Sequence, residues 1–145
     1  MATLTHDSRC IALAQLETSL RLYFERQDYF SVITLAGNAE EIFGKILKAK
    51  GIVNSIEAMK KTVAAIHQHL YGEMLSEAVV AERANRAKNA IKHGIGSSPT
   101  VTMDAQEEAR DMLNRAIDNY WLLEEWLTPA MERFQRENLE PLTHL

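Results

Sequence analysis

Cysteine occurs once in this chain, at Cys10, which excludes an internal disulfide and a thiolate metal cluster. Three prolines and six glycines in 145 residues leave little material for turns, and they sit as punctuation between longer stretches. No apolar run approaches the roughly 20 residues needed to cross a bilayer, so no membrane association is expected. The opening residues lack a basic segment followed by an apolar one, so no secretory signal is expected and the cytoplasm is the default compartment. There is no surplus of positive charge. A net charge of −4 excludes a protein that coats nucleic acid through bulk charge, and leaves only a local basic patch for such contact. Alternation of apolar and polar residues is also missing, and with it any signal for strands.

What remains is helical periodicity. The length suits one domain over residues 1–145 with a real hydrophobic core. Apolar positions at helical spacing predict an all-α fold, an antiparallel bundle of four to five long helices with a short C-terminal one. The first is expected from about Asp7 to Arg26, with Ile11, Leu13, Leu16, Leu20, Tyr23 and Phe24 as its stripe. The second runs from about Tyr29, after a cap at Asp28, to Lys50. The third is expected from about Ser55 to Tyr71, after a cap at Asn54 or Ser55, with Ile56, Met59, Val63, Ile66 and Leu70 as its stripe. Asp104 starts the last long helix, with Glu107 three residues later in a capping-box pattern. Thr128-Pro129 ends or kinks it, and a short amphipathic helix follows from Ala130 to about Asn138. The tail after Glu140 is expected to fray.

Five side chains stand out against this pattern. Glu40 lies on the apolar face of the second helix, among Ile33, Ala36, Phe43 and Leu47. Either it reaches water at the edge of the stripe, or it is buried and needs a partner, since an unpaired buried charge is costly. Arg86, Arg83 and Tyr120 are the candidates for that partner. Asn119, Tyr120, Trp121 and Trp126 are the others, readable as core or as the lining of a pocket. His67 and His69 are two residues apart, which points them to different helix faces and makes no metal site. No metal and no cofactor are expected.

The densest set of chemical side chains lies in the stretch from Ser76 to Gly94. It reads as one helix closed by a glycine. Val80, Ala84, Ala87 and Ile91 make a narrow stripe of mostly small residues against the bundle. Arg86, Asn89 and His93 stack along a separate ridge bordered by Val79, Arg83 and Ala90. Arg86 and His93 are two turns apart, roughly 10 Å at 1.5 Å per residue, suited to opposite ends of a phosphodiester. Asn89, four residues before His93, is placed to orient its ring. Arg83, Arg86, Lys88, Lys92 and His93 form the one dense basic patch. The Gly, Ser and Pro-containing segment 94–103 follows directly and is expected to be a mobile loop able to cover His93.

Arg86, six intervening residues and His93, together with Asn89, Lys92 and His93 in an Asn-x-x-Lys-His run, resemble the motif of the HEPN superfamily. Glu40 is similar to the acidic residue that family often carries on an earlier helix. The resemblance covers most of the chain in architecture and about eight residues in motif. It implies metal-independent RNA cleavage in a cleft between two identical subunits, as in a toxin with its antitoxin or a phage-defence component. His93 would serve as general acid or base, Arg86 would stabilise charge on the phosphorane, and Asn89 would orient His93. Lys92 and Arg83 would hold substrate phosphates, with Glu40 and Tyr120 in support. One position departs: the residue after the arginine, commonly polar in the nucleases, is Ala87. That departure and the acidic balance support a second reading, a non-enzymatic dimeric module whose same face binds a protein partner, a nucleotide or a small anion. A ligand pocket near Tyr120 and Trp121 is a third.

Overall fold

The computed structural model describes residues 2–94 and 100–138, and these form six helices. They are α1 (Ser8–Phe24), α2 (Tyr29–Ala49), α3 (Ser55–Tyr71), α4 (Glu77–His93), α5 (Ala105–Glu124) and α6 (Pro129–Asn138). The expected cover of His93 by the 94–103 segment, and the expected fraying after Glu140, fall mainly or wholly outside the described residues.

Each long helix starts where a short polar side chain can take a free backbone N–H. Asp7 accepts from Arg9, Asp28 from Ser31, Asn54 from Glu57, Ser76 from Ala78 and Asp104 from Glu107. Thr128 does the same for α6, accepting from the Met131 N–H while its hydroxyl donates to Glu17 of α1.

The core lies between α1, α2 and α5, with α6 closing one end. Leu16 and Leu20 of α1, Ile33 and Phe43 of α2, and Leu113 and Ile117 of α5 are fully or almost fully buried. Met131 and Phe134 of α6 complete it, with the Tyr23 ring edge-on to Phe134 at 5.3 Å between centroids. Consecutive α1 and α2 are antiparallel, as the Asn38–Gln15 and Tyr23–Tyr29 contacts show. The pairs Gly37–Met112 and Phe43–Tyr120 show that α2 and α5 run in the same direction.

The helical stripes need two corrections. On α1 the buried set is Ala12, Leu16, Ser19, Leu20 and Tyr23, and Ile11 is exposed. The small Ala12 and Ser19 let α1 approach its neighbours closely, which rotates Ile11 outward. On α3 the stripe of Ile56, Met59, Val63, Ile66 and Leu70 does not face a core, and no residue of that helix is buried. α3 packs mainly on α4 and on the edge of α5, and among the described residues no further layer covers its apolar face.

Candidate functional site

The polar residues that matter begin with a pair buried in the middle of the bundle. Glu40 is buried as one of its two expectations had it, and its partner is Arg115 of α5, with Nη2 at 3.1 Å from Oε1. None of Arg86, Arg83 or Tyr120 pairs with it. The reason is azimuthal. Arg86 and Arg83 lie on the outward side of α4, whereas Arg115 sits on the buried stripe of α5 that meets α2. Arg115 Nη1 also donates to the Ala84 carbonyl at 2.9 Å, and Nη2 donates to Asn85 Oδ1 at 2.8 Å. One guanidinium thus joins α2, α4 and α5. Its Nε is the buried side-chain polar atom left without a partner among the described residues.

Beside this pair is a second polar junction. Asn119, fully buried on α5, donates to the Glu40 carbonyl at 3.0 Å and accepts from the Ser55 N–H at 2.8 Å. Asn54 donates to the Gly44 carbonyl at 3.2 Å and caps α3 through the Glu57 N–H. These two amides hold the start of α3 against α2 and α5.

Above the junction, α2 and α4 diverge and leave a cleft of about 730 Å³. Glu40, Arg115 and Asn54 contribute to its lining, and Leu35, Ile56 and Ile91 supply apolar wall. Lys45 and Lys48 of α2 and Lys88 and Lys92 of α4 also line it. Lys88 reaches it by laying its aliphatic stem across Gly37, where an added Cβ would stand 2.6 Å from Lys88 Cδ. Glu41 sits between the lysines, 3.2 Å from Lys45 Nζ and 3.8 Å from Lys88 Nζ. The hydrogen bond from Lys45, with the charges of Lys88 and Lys92, holds the Glu41 carboxyl below the usual carboxylate range. It therefore stays ionised in the native protein at pH values where the unfolded chain takes up the proton. The stabilisation this carries is present at neutral pH and is lost as pH falls through the lowered value.

Five cationic side chains line this cleft against two carboxylates, a surplus of three positive charges on a chain whose net charge is −4. Lys48, Lys92 and Asn89 have neither an ion pair nor a side-chain hydrogen bond among the described residues.

The residues singled out in the sequence divide between places. Glu40, Asn89 and Lys92 belong to the cleft. Arg83, Arg86 and His93 are exposed and do not line it. Arg86 makes a 4.0 Å contact with Glu82 on its own helix. No hydrogen bond joins Asn89 to His93 among the described residues. Ala90, expected at the border of the ridge, is buried with Val80 and Ala87. Tyr120 is in the core, edge-on to Phe43 at 5.6 Å and to Trp126 at 5.5 Å, away from the Glu40 carboxylate. Trp121 and Trp126 are half exposed.

Sequence reasoning missed Arg115, Lys45 and Lys48. Arg115 carried no signal like that of Glu40: of the positions three, four and seven residues away, Met112 and Leu122 are apolar, but Glu108, Asp111, Asp118 and Asn119 are polar, as on a solvated face. Among the described residues no group of histidine, cysteine and carboxylate side chains is arranged to hold a metal, and no helix is long and apolar enough to cross a membrane. Comparison with protein-family models, with curated proteins and with solved structures finds no match.

Proposed function

We propose that this protein is a non-enzymatic helical module that binds a small phosphate-bearing ligand in the cleft between α2 and α4. The observation that carries this is the local surplus of positive charge in a concave site on an acidic protein. The cleft's volume lies within the roughly 300–1,000 Å³ usual for small-molecule sites. Its chemistry is mixed in the way such a ligand needs. Lys48 and Lys92 offer ammonium groups to phosphate oxygens. Leu35, Ile56 and Ile91 offer surface to a flat or apolar part of the ligand. The Glu40–Arg115 pair gives a rigid floor, because each charge is already matched.

Adenosine diphosphate is a suitable probe, with pyrophosphate and adenosine beside it. Binding of the diphosphate is expected by calorimetry, with a rise in melting temperature of the order of 5 °C at 100-fold excess over the dissociation constant. Lys48→Ala and Lys92→Ala should each weaken it about tenfold or more, since a charged hydrogen bond contributes about 1.5–3 kcal/mol. Glu41→Gln should tighten it, because that carboxylate competes with the ligand for Lys45 and Lys88. Affinity should fall as salt is raised. Neither heat nor melting shift with the diphosphate or pyrophosphate would overturn the reading.

The second reading is the ribonuclease implied by the HEPN resemblance. Its support is that Arg86 and His93 stand on one open ridge of α4, with solvent access to both. Under that reading, purified protein cleaves RNA in the presence of a chelator, and His93→Ala abolishes cleavage without changing the circular dichroism spectrum. Equal cleavage by the two proteins would exclude His93 as the acid or base.

A further inference from the structure

The turn from α1 to α2 carries an arginine where a glycine is usual. α1 closes with the Arg26 N–H bonded to the Tyr23 carbonyl at 3.1 Å and the Gln27 N–H bonded to the Leu22 carbonyl at 3.5 Å. That pairing puts Arg26 in the left-handed region, with φ of 53°. Glycine commonly fills this position because a Cβ is resisted there. Gly72, with φ of 68°, ends α3 in that way. An arginine held in this conformation points to a use for its side chain.

The Arg26 side chain lines a cavity of about 340 Å³ between the turn, α5 and α6. The buried Tyr23 lines it too, its hydroxyl donating to Asn138 Oδ1 at 3.1 Å, and the Tyr29 ring stands edge-on to Tyr23 at 5.8 Å between centroids. Arg133 reaches the cavity from α6. Its guanidinium lies 3.9 Å from the centroid of the Phe24 ring, and its Nε donates to Glu137 Oε1 at 2.9 Å. Those two contacts fix the fork and leave both Nη groups without a partner among the described residues. Arg26 has neither an ion pair nor a side-chain hydrogen bond among them. Arg110 of α5 has none either, and it stands near enough for its charge to act on the Tyr23 hydroxyl. Glu137 is the carboxylate on the lining, while Asp28, next along the turn, is taken up in capping α2 through Ser31.

We propose that this cavity binds the phosphate group of a small phosphate monoester, held by the guanidiniums of Arg26 and Arg133 with the charge of Arg110 close by. Three cations from three elements suit a tetrahedral dianion with three outer oxygens, whereas a planar carboxylate is met by a single fork. The Phe24 and Tyr29 rings offer a flat wall to the organic part of the ligand. The volume suits a small ligand, at the lower end of the roughly 300–1,000 Å³ usual for such sites. The cavity shares no lining residue with the α2–α4 cleft, so the two sites stand or fall separately.

The experiment is a titration of the full chain with phenyl phosphate, with inorganic phosphate and benzoate beside it, read by amide chemical shifts and calorimetry. Saturable shifts at Arg26, Tyr29 and Asn138 are expected, with a dissociation constant for phenyl phosphate below about 1 mM. Inorganic phosphate should shift the same amides with weaker affinity, and benzoate should bind about tenfold more weakly or less. Arg26→Gly should weaken phenyl phosphate about tenfold or more and raise the melting temperature, since glycine takes the left-handed conformation without strain. Those opposite movements separate a side chain that holds a ligand from one that holds the turn. Arg133→Lys keeps the charge but loses the fork, and should also weaken binding about tenfold. Lys92→Ala, in the cleft, should leave these shifts unchanged. An absence of saturable shifts at these amides, or equal binding by the unaltered protein, Arg26→Gly and Arg133→Lys, would overturn the proposal. Equal binding of benzoate and phenyl phosphate would also overturn it, and would mark a general counterion effect.

Discussion

Arg115→Met is expected to lower the unfolding free energy by about 3–5 kcal/mol, a large fraction of what a domain of this size has. The loss does not measure the attraction of the pair. It measures the charge left behind, since Glu40 stays buried between α2 and α5 without its guanidinium. The Ala84 carbonyl and the Asn85 amide oxygen lose donors in the same step. Replacing both members should therefore recover much of the loss. Arg115→Met with Glu40→Leu leaves no orphaned charge, and apolar residues of similar volume often substitute for buried ion pairs at little cost. Urea denaturation of the two single variants and the double variant gives the coupling directly. If Arg115→Met alone is as stable as the unaltered protein, the pair has no structural role. Hydrogen exchange should also show where the pair acts. In Arg115→Met, amides of α3 and α4 should exchange faster than those of α1, α2 and α5, because the guanidinium is a buried polar tie between α4 and the main core, beside the more exposed Lys88–Glu41 contact.

Asn119→Ala should cost about 2–4 kcal/mol, by a different mechanism. Its amide satisfies one backbone donor and one backbone acceptor at once, the Ser55 N–H and the Glu40 carbonyl. Each buried group left unpaired costs roughly 1–3 kcal/mol, and Asn119 is fully buried, so no bulk solvent replaces the lost partner. Ser55 is the first residue of α3, so the damage should concentrate there. Faster exchange at the start of α3, measured at a denaturant concentration well below the midpoint, is the distinguishing result. Equal loss of protection across all six helices would mean that Asn119 acts only through the global core.

The first prediction rests on a partner for Glu40, a charge that the chain's periodicity marked as an anomaly without resolving it. Glu40 stood among Ile33, Ala36, Phe43 and Leu47, and that placement alone announced a charge in need of a partner. Two of its three candidate partners, Arg83 and Arg86, lie on α4, where basic residues are dense along the chain, and the third, Tyr120, lies on α5. Density along the chain is not proximity in space. Arg83 and Arg86 are exposed on α4, and Arg115, among the buried residues of α5, was the one in reach. Tyr120 was drawn toward function by its hydroxyl, but its ring packs between Phe43 and Trp126, and the apolar body decided its place.

The sequence by itself determined the class and the segmentation of this protein. Helical spacing, the polar caps at Asp28, at Asn54 or Ser55 and at Asp104, and a few glycines and prolines act within one turn or two, so they are readable one stretch at a time. They placed α3 close to its Ser55–Tyr71 bounds, and α4 within the stretch from Ser76 to Gly94. Only the tertiary structure decided what those helices face. A stripe at the correct period says that one side of a helix is apolar, not that another helix lies against it. On α2 the stripe met α1 and α5 and became core, whereas on α3 it met no third layer and stayed open. The cleft arose in the same way. Lys45 and Lys48 of α2 are ordinary surface lysines in the sequence, whereas Lys88 and Lys92 of α4 read there as part of a basic patch with Arg83, Arg86 and His93. They share one site because Gly37 lets Lys88 lie flat on α2 and Arg115 pins α4 beside it.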